Sequence, residues 1–572
     1  MSHYVTVSGE TYEEARESFS WDAPEGFNAA DDLVGKHDGD RVALYQFDDD
    51  GHREEYTFAD LDARSDAVAS ALESRGVERG DRVAVVVPQK PANVLTHLAC
   101  WKLGAISLPL SVLFGDDALR YRLTDSEARA AVVDAGQWET LREVAPDCPA
   151  LESVLVVDGG LADATRTGDA TAEPFDGAVD RNETAFDRAD TDADTPAIII
   201  YTSGSTGEPK GVLHAHGVWL GHCPAFQMYF ERDVRSEDAV YWTPADWAWI
   251  GALGDVVFPA WHYGRPVVGH PTGSFDPGRA FEIAETFDVT HAFLPPTAIR
   301  MLMGVDEPTE EYNLSLEAIC SGGEPLTREI LEWADEELAG VVVNELYGQT
   351  EANLLVTNCR GWFPAKPGSM GKPVPGHDVA VLDSETGERV GPGEIGEIAV
   401  RRGDDPVLFR EYWNAPEKTT RVTLEDGPGC GEQSDAMRSS SDVPSDGDTW
   451  HLTGDLAERD EDGYLWFASR DDDLINTSGY RVAPREVEET VLEHEAVEQV
   501  GVVGVPDETR GEIIRAVVQP VDGASGSDDL RSEIQDLVRE KLAEYEYPRE
   551  LEFRDELPTT TTGKIRRSAL RS

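Results

Sequence analysis

Lysine is scarce in this chain: 572 residues contain nine of them, so forty of the 49 basic side chains are arginine. Cysteine is scarcer still. The six present (Cys100, Cys148, Cys223, Cys320, Cys359 and Cys430) are scattered without a C-x-x-C pair, which argues against a disulfide framework and the common zinc sites. No apolar run approaches the ~18 residues that a membrane-spanning helix needs. The opening MSHYVTVSGETYEEAR has neither a basic start nor an apolar stretch, so no secretory signal is expected. These absences point to a cytoplasmic protein with no membrane partner, and they leave the oligomeric state open.

Acidic residues are what the chain has in excess. Asp and Glu number 111, for a formal net charge of -62. In dilute buffer such a surface repels itself and destabilises the compact state. At ~1 M salt the Debye length contracts to about 3 Å and the repulsion is screened. The composition therefore points to a cytosol with molar salt, as in halophilic microbes. No basic face is available for nucleic acid. With 40% hydrophobic residues and 13 Trp, the chain can nevertheless build packed cores.

A prior of about 100–200 residues per domain suggests three or four units. In the first third, helix and strand signals alternate. Thr57 with Asp60 reads as a helix cap, Leu61, Val68 and Leu72 as one helical face, and Gly76 as its end. Arg82–Val87 reads as a strand, 95–103 as a helix and 105–108 as a strand, a repetition that argues for parallel α/β layers. Two stretches break this pattern. Residues 158–195, rich in Asp, Thr and Ala, read as a solvated linker, and 425–449, loaded with Gly, Ser and Asp, as a surface insertion. After Arg470 a smaller α/β unit is expected, with helices over 484–494 and 528–543 and strands over 499–505 and 513–521. The fold class expected is α/β: a large N-terminal region of layered parallel-type subdomains (1–471) and a small mobile C-terminal α/β domain (472–572).

The apolar strand Ala197–Tyr201 runs straight into Thr202-Ser203-Gly204-Ser205-Thr206-Gly207-Glu-Pro-Lys210-Gly. Glycines permit positive φ, so that hydroxyls and N–H groups can face an anion, and Lys210 adds a positive charge. The order differs from a Walker loop, in which Gly and Lys are adjacent and Ser or Thr follows. The segment resembles the phosphate loop of the adenylate-forming superfamily. Further resemblances follow in order: Ser321-Gly322-Gly323-Glu324-Pro325-Leu326, Tyr347-Gly348-Gln349-Thr350-Glu351, Thr453-Gly-Asp455, the run from Arg470 to Arg481, and Thr562-Gly-Lys564.

That resemblance implies an acyl-CoA synthetase, which joins a small-molecule carboxylic acid to AMP and then to coenzyme A, with ATP, Mg2+ and coenzyme A as the small molecules required. It implies that Thr206 and Lys210 hold the β- and γ-phosphates, Thr350 the α-phosphate, and Glu351 the Mg2+. Gly323, Glu324 and Pro325 would face adenine, Asp455 and Arg470 the ribose. Lys564 would stabilise the charge that develops between the carboxylate and the α-phosphate. Asp472 matches the hinge. Ser478, Gly479 and Tyr480 match a coenzyme A contact, and Arg481 a phosphate contact. An enzyme that uses another acyl acceptor, and a silent nucleotide sensor, are the competing readings.

The acyl pocket is implied at Trp249, Ile250, Gly251, Gly322 and Gly348. The acetate-specific subgroup carries Trp, Thr and Val where this chain has Gly348, Gly251 and Gly322. Three glycines would open space for a medium-chain, branched or aromatic acid, each buried CH2 being worth about 0.8 kcal/mol. Trp247 and Trp249 could refill it.

The charge argument can be tested at once. Thermal unfolding should show a midpoint that rises as KCl is raised from about 0.1 M to about 2 M. A midpoint that is flat or falls over that range would refute the assignment to a molar-salt cytosol.

Overall fold

The expected cap at Thr57 forms: its hydroxyl accepts from Asp60 N at 3.1 Å, and Thr57 N donates to Asp60 Oδ2 at 2.9 Å. It starts the helix Phe58–Glu73, which buries Leu61, Val68 and Leu72; the chain then turns through Gly76 at φ +84°. The structure is a computed structural model. It describes residues 5–571 except 49, 160, 162, 182–184, 203–207, 233–235, 272, 324–325, 339, 384–385, 426–448, 471–472, 474, 478–479, 483, 508–510, 522, 543–545 and 560–564. For Arg470, Tyr480 and Arg481 the backbone alone is described.

The chain divides into two compact units. The first comprises Met1–Asp378 and Arg401–Glu425 and is built on two nine-stranded sheets. In one of them Arg82–Val86 pairs in parallel with Ile106–Pro109 and Ala130–Val133, and the latter with Ser153–Val156. The helix Pro91–Leu103 buries every residue from Ala92 onward. The other sheet runs in parallel through Tyr241–Trp242, His291–Phe293, Ala318–Gly322 and Val342–Gln349. It turns antiparallel at Ala352–Thr357.

The stretch 158–195 is not a linker. Its strands Thr165–Thr167 and Ala170–Pro174 close one edge of the first sheet beside Ser153–Val156, and the helix Phe175–Val179 follows. Thr167, Ala170, Ala172 and Phe175 are buried. Small apolar residues at alternate positions carry this burial, and the Asp, Thr and Glu around them dominate the composition. Gly168 makes the turn at φ +57°, where a Cβ would lie 2.8 Å from Pro146 Cα.

The second unit holds Val379–Val400 and Trp450–Ser572. Its first sheet pairs Val379–Leu382 with Ile395–Arg401, and Trp450–Arg459 with Leu465–Arg470. Its second is centred on the long hairpin of Val497–Asp507 and Gly511–Pro520. The helices Pro484–Leu492 and Asp528–Lys541 bury Val487, Val491, Ile534 and Val538 in its core. The four elements expected after residue 470 are thus present. The sheet before residue 471 clusters with them rather than with the first unit. The insertion 425–449 lies outside the described residues apart from its two ends. Among the described residues no helix is long and apolar enough to cross a membrane, and the five described cysteines are buried free thiols.

One of the rare lysines clamps two helices of the first unit. Lys102 is fully buried, and its Nζ donates to Asp62 Oδ1 at 2.8 Å, to Asp66 Oδ1 at 2.6 Å and to Asp62 O at 2.7 Å. Replacing it by Met leaves the two carboxylates without their shared counter-charge. Lys102→Met should cost about 3 kcal/mol, the low end for breaking a buried pair, because Asp62 also accepts from Arg188. Denaturant unfolding in molar KCl measures this, and a cost below about 1 kcal/mol would show that the clamp is not structural.

Candidate active site

The strand Pro196–Thr202, with Ala197 to Tyr201 buried, pairs antiparallel with Lys210–Ala215. The register sets Lys210 opposite Thr202. Ser203, Gly204, Ser205, Thr206 and Gly207 lie outside the described residues, but both flanks of the loop are anchored. On the near side Tyr201 donates its hydroxyl to Asp125 Oδ2 at 2.5 Å. On the far side Tyr121 donates to Pro209 O at 3.0 Å.

Thr350 and Glu351 form the turn between Val342–Gln349 and Ala352–Thr357, where Gln349 pairs with Ala352. Two side chains tie this turn to the strand that carries Lys210. His214 Nε2 is 2.7 Å from Thr350 O. Burial holds the His214 imidazole down to about 3, so the ring is neutral at pH 7. A carbonyl only accepts, so the ring proton is on Nε2. Tyr412, paired with Val212 across the sheet, donates its hydroxyl to Glu351 Oε1 at 2.6 Å. Its ring lies beneath Lys210 Nζ, 5.0 Å from the centroid. Phe409 N donates to Glu351 O at 2.8 Å. Lys210, Thr350 and Glu351 are therefore brought together through His214 and Tyr412, two residues that sequence reasoning missed. Tyr412 sits in a two-residue strand too short for any periodicity, and the only signal was the aromatic, proline-stopped run EYWNAPEKTT.

The three glycines of the expected acyl pocket differ from one another. A Cβ on Gly322 would lie 2.8 Å from Leu346 Cγ, with Leu346 Cδ1 closer still. Leu346 is the cross-strand partner of Gly322, so it fills the room the glycine leaves. A Cβ on Gly348 would meet Asn353 Oδ1 at 2.9 Å and Ala352 O at 3.1 Å. That glycine serves the register shift between Tyr347 and Gln349. Only Gly251 faces ordinary contact distances, with Asp255 Oδ2 at 3.5 Å and Phe293 Cε1 at 3.6 Å. The expectation that all three glycines open space is thus corrected at 322 and 348, because neighbouring side chains occupy it. Trp247 is fully buried and packs over Gly269, as a core residue does. Ile250 is buried, and Trp249 is half-buried with its ring edge-on to Phe114 at 6.4 Å.

Of the adenine segment, Gly323 is exposed at φ +89°, and Glu324 and Pro325 lie outside the described residues. Tyr347 is buried, Gln349 half-buried. In the second unit Asp455 is 8% exposed, and its N–H donates to Thr453 Oγ1 at 3.2 Å. Gly454 at φ +71° donates its N–H to Glu397 Oε1. Asp455 and Arg470 are cross-strand partners, which puts both expected ribose contacts at one register position. Tyr480 pairs with Thr477, and Arg481 with Asn476. Asp472, Ser478, Gly479 and Lys564 lie outside the described residues.

Among the described residues no three His, Cys, Asp or Glu side chains cluster as a metal cage. Mg2+ does not need one, since it takes one or two carboxylates and completes its shell with water and substrate phosphates. Glu351 fits that role. Tyr412 holds its Oε1, and Oε2 has no hydrogen-bond partner among the described residues.

Comparison with known proteins identifies the family. Residues 32–413 match the AMP-binding enzyme family, and residues 486–564 match the AMP-binding enzyme C-terminal domain. The chain is 35% identical to the acetyl-coenzyme A synthetase of Bacillus subtilis (strain 168), over 95% of this chain and 90% of that one. It is 33% identical to the mitochondrial acyl-coenzyme A synthetase ACSM3 of Mus musculus, over 98% and 93%. The solved structure of the anthranilate CoA ligase AuaEII in complex with anthranoyl-AMP superposes with a TM-score of 0.80 at 27% identity, covering 96% of this chain and 98% of that one.

The buried imidazoles set an acid limit. Burial holds His97, His214, His216 and His222 near 3 and His291 near 4, against ~6.5 in an unfolded chain. Below pH ~6.5 the unfolded chain binds protons that the folded one refuses. Stability should then fall as pH drops from ~6.5 toward 3, by about 1.4 kcal/mol per pH unit for each histidine. Asp66, Asp176, Asp246 and Asp255, pushed up by burial, act in the opposite sense, but they are four groups against seven once His37 and His262, also held down by burial, are counted. Denaturant midpoints at pH 7 and pH 5 should differ clearly, with pH 5 lower; equal midpoints would mean the imidazoles are protonated in the folded state.

Proposed function

The chain belongs to the family of AMP-binding enzymes and is an adenylate-forming acyl-CoA synthetase, and we propose that it uses Mg2+ and coenzyme A to activate medium-chain or branched acids rather than acetate. The observation that carries the catalytic reading is the convergence of Lys210, Thr350 and Glu351 through His214 and Tyr412. Two anions, a carboxylate and a triphosphate, have to meet in a chain of net charge -62. A cation, a threonine hydroxyl on an anchored turn and a carboxylate suited to Mg2+ meet that need.

In the first step a carboxylate oxygen attacks the α-phosphorus of ATP, and the bond to the leaving pyrophosphate breaks. Lys210, with residues 202–207, holds the phosphates that leave, and Thr350 donates to the α-phosphate. Bound at Glu351, Mg2+ would neutralise phosphate charge. Lys564 stabilises the charge that develops at the reacting oxygens. Asp455 and Arg470 hold the ribose. In the second step the sulfur of deprotonated coenzyme A attacks the acyl carbonyl, and AMP leaves. Residues after the hinge at Asp472 exchange Lys564 for Ser478, Gly479 and Tyr480, which take the coenzyme A arm, while Arg481 contacts phosphate.

For the acid, support comes from Gly251, where an added Cβ would meet its neighbours only at ordinary contact distances. The half-buried Trp249 would lie along the acyl chain. Its ring is compatible with an aromatic acid, the kind of substrate named for the anthranilate ligase.

Acyl-CoA formation should be measured in about 2 M KCl with ATP, Mg2+ and coenzyme A, across acids from acetate to decanoate plus benzoate. The rate should peak beyond propionate. A peak at acetate would overturn the chain-length reading alone. Lys564→Ala should lower pyrophosphate release by about 10²–10³, the usual effect of removing one group aimed at developing charge. An unchanged rate would remove Lys564 from the reaction.

A further inference from the structure

Opposite charges that lie close together tend to pair. Neither Lys210 nor Glu351 is in an ion pair among the described residues. Each instead meets the same neutral side chain. Tyr412 presents its ring face to Lys210 Nζ, 5.0 Å from the centroid, and its hydroxyl to Glu351 Oε1 at 2.6 Å. Tyr412 is 4% exposed and Glu351 9%, so water does not compete strongly for that hydrogen bond.

Three backbone contacts fix the tyrosine in place. Tyr412 pairs with Val212, two residues from Lys210 on the same strand. Phe409 N donates to Glu351 O, and Leu408 bridges Ala352. The segment 408–412 therefore runs between the strand of Lys210 and the turn of Glu351. Its one side chain that reaches both charged groups is Tyr412.

We infer that Tyr412 is a positioning residue that keeps the phosphate-binding lysine and the metal-binding glutamate apart and aimed before the nucleotide arrives. Its hydroxyl holds one carboxylate oxygen and leaves the other for the cation. Its ring offers Lys210 a resting place that a triphosphate displaces, since a cation over an aromatic face is held more weakly than one in an ion pair. The inference rests on the roles proposed above for Lys210 and Glu351.

The two contacts can be separated by substitution. Tyr412→Phe keeps the ring and removes the hydroxyl; Tyr412→Leu removes both. ATP binding, measured by titration calorimetry on the full chain in molar KCl without acid or coenzyme A, is read with and without Mg2+. Tyr412→Phe should lose about tenfold of the Mg2+-dependent gain in affinity, the scale of one hydrogen bond to a charged group. Its affinity without Mg2+ should match the wild type. Tyr412→Leu should weaken ATP in both conditions; if it does not fold, Tyr412→Phe alone decides. Wild-type behaviour of Tyr412→Phe in both conditions would overturn the inference, as would an equal loss with and without Mg2+, which is the mark of a merely structural tyrosine. Glu351→Gln is measured alongside. If it keeps the full Mg2+ dependence, the role of Glu351 falls and the inference falls with it. If it loses that dependence while Tyr412→Phe does not, the tyrosine's role fails and the catalytic reading stands.

Discussion

The antiparallel pairing of Lys210–Ala215 with Pro196–Thr202 is the constraint on which the candidate site depends. It returns the chain from the loop with Lys210 opposite Thr202. Side chains on a strand alternate, so Lys210, Val212 and His214 share one face. That face receives Tyr412 across the sheet and touches the Thr350 carbonyl at its far end. One six-residue strand thus sets the lysine, the turn backbone at Thr350 and, through the tyrosine, the carboxylate. The opposite face is packed tightly: a Cβ on Gly211 would lie 3.0 Å from Ile199 Cγ2 and 3.1 Å from Trp413 Cβ. The strand has little freedom to slip.

Much of this was legible before any coordinates. The cap at Thr57, the strand at Arg82 and the two C-terminal helices follow from local rules, because each depends on residues three or four positions apart. The loop from Thr202 to Lys210 was legible because its chemistry is contiguous. His214 and Tyr412 were not, since their value comes from partners 136 and 61 residues away. Residues 158–195 misled for a different reason. Their burial rests on alanines and threonines, which carry little hydropathy, and on a sheet edge that other segments supply. Gly322 misled because a glycine's missing volume is judged from the neighbours, and Leu346 is one strand away.

Scarcity of lysine gives the few that exist a visible distribution. Lys36 pairs with buried Asp32, Lys90 with Asp134 and Asp158, and Lys102 with Asp62 and Asp66. Those three sit on structural carboxylates, while Lys210 stands over an aromatic ring at the candidate site. Repulsion across a surface this acidic is screened by salt, whereas the interior pairs are screened much less. The protein thus separates two electrostatic regimes: a solvent-facing one that depends on ionic strength and an interior one that depends on geometry.

The pairing of Gly322 with Leu346 has a consequence for how this chain can vary over time. The two positions form an epistatic unit. A Cβ at 322 would meet the Leu346 side chain and also lie 2.8 Å from the Leu346 carbonyl oxygen, so both residue 346 and the backbone of its strand would have to give. Volume at this point of the sheet can therefore change only by coupled steps on both strands.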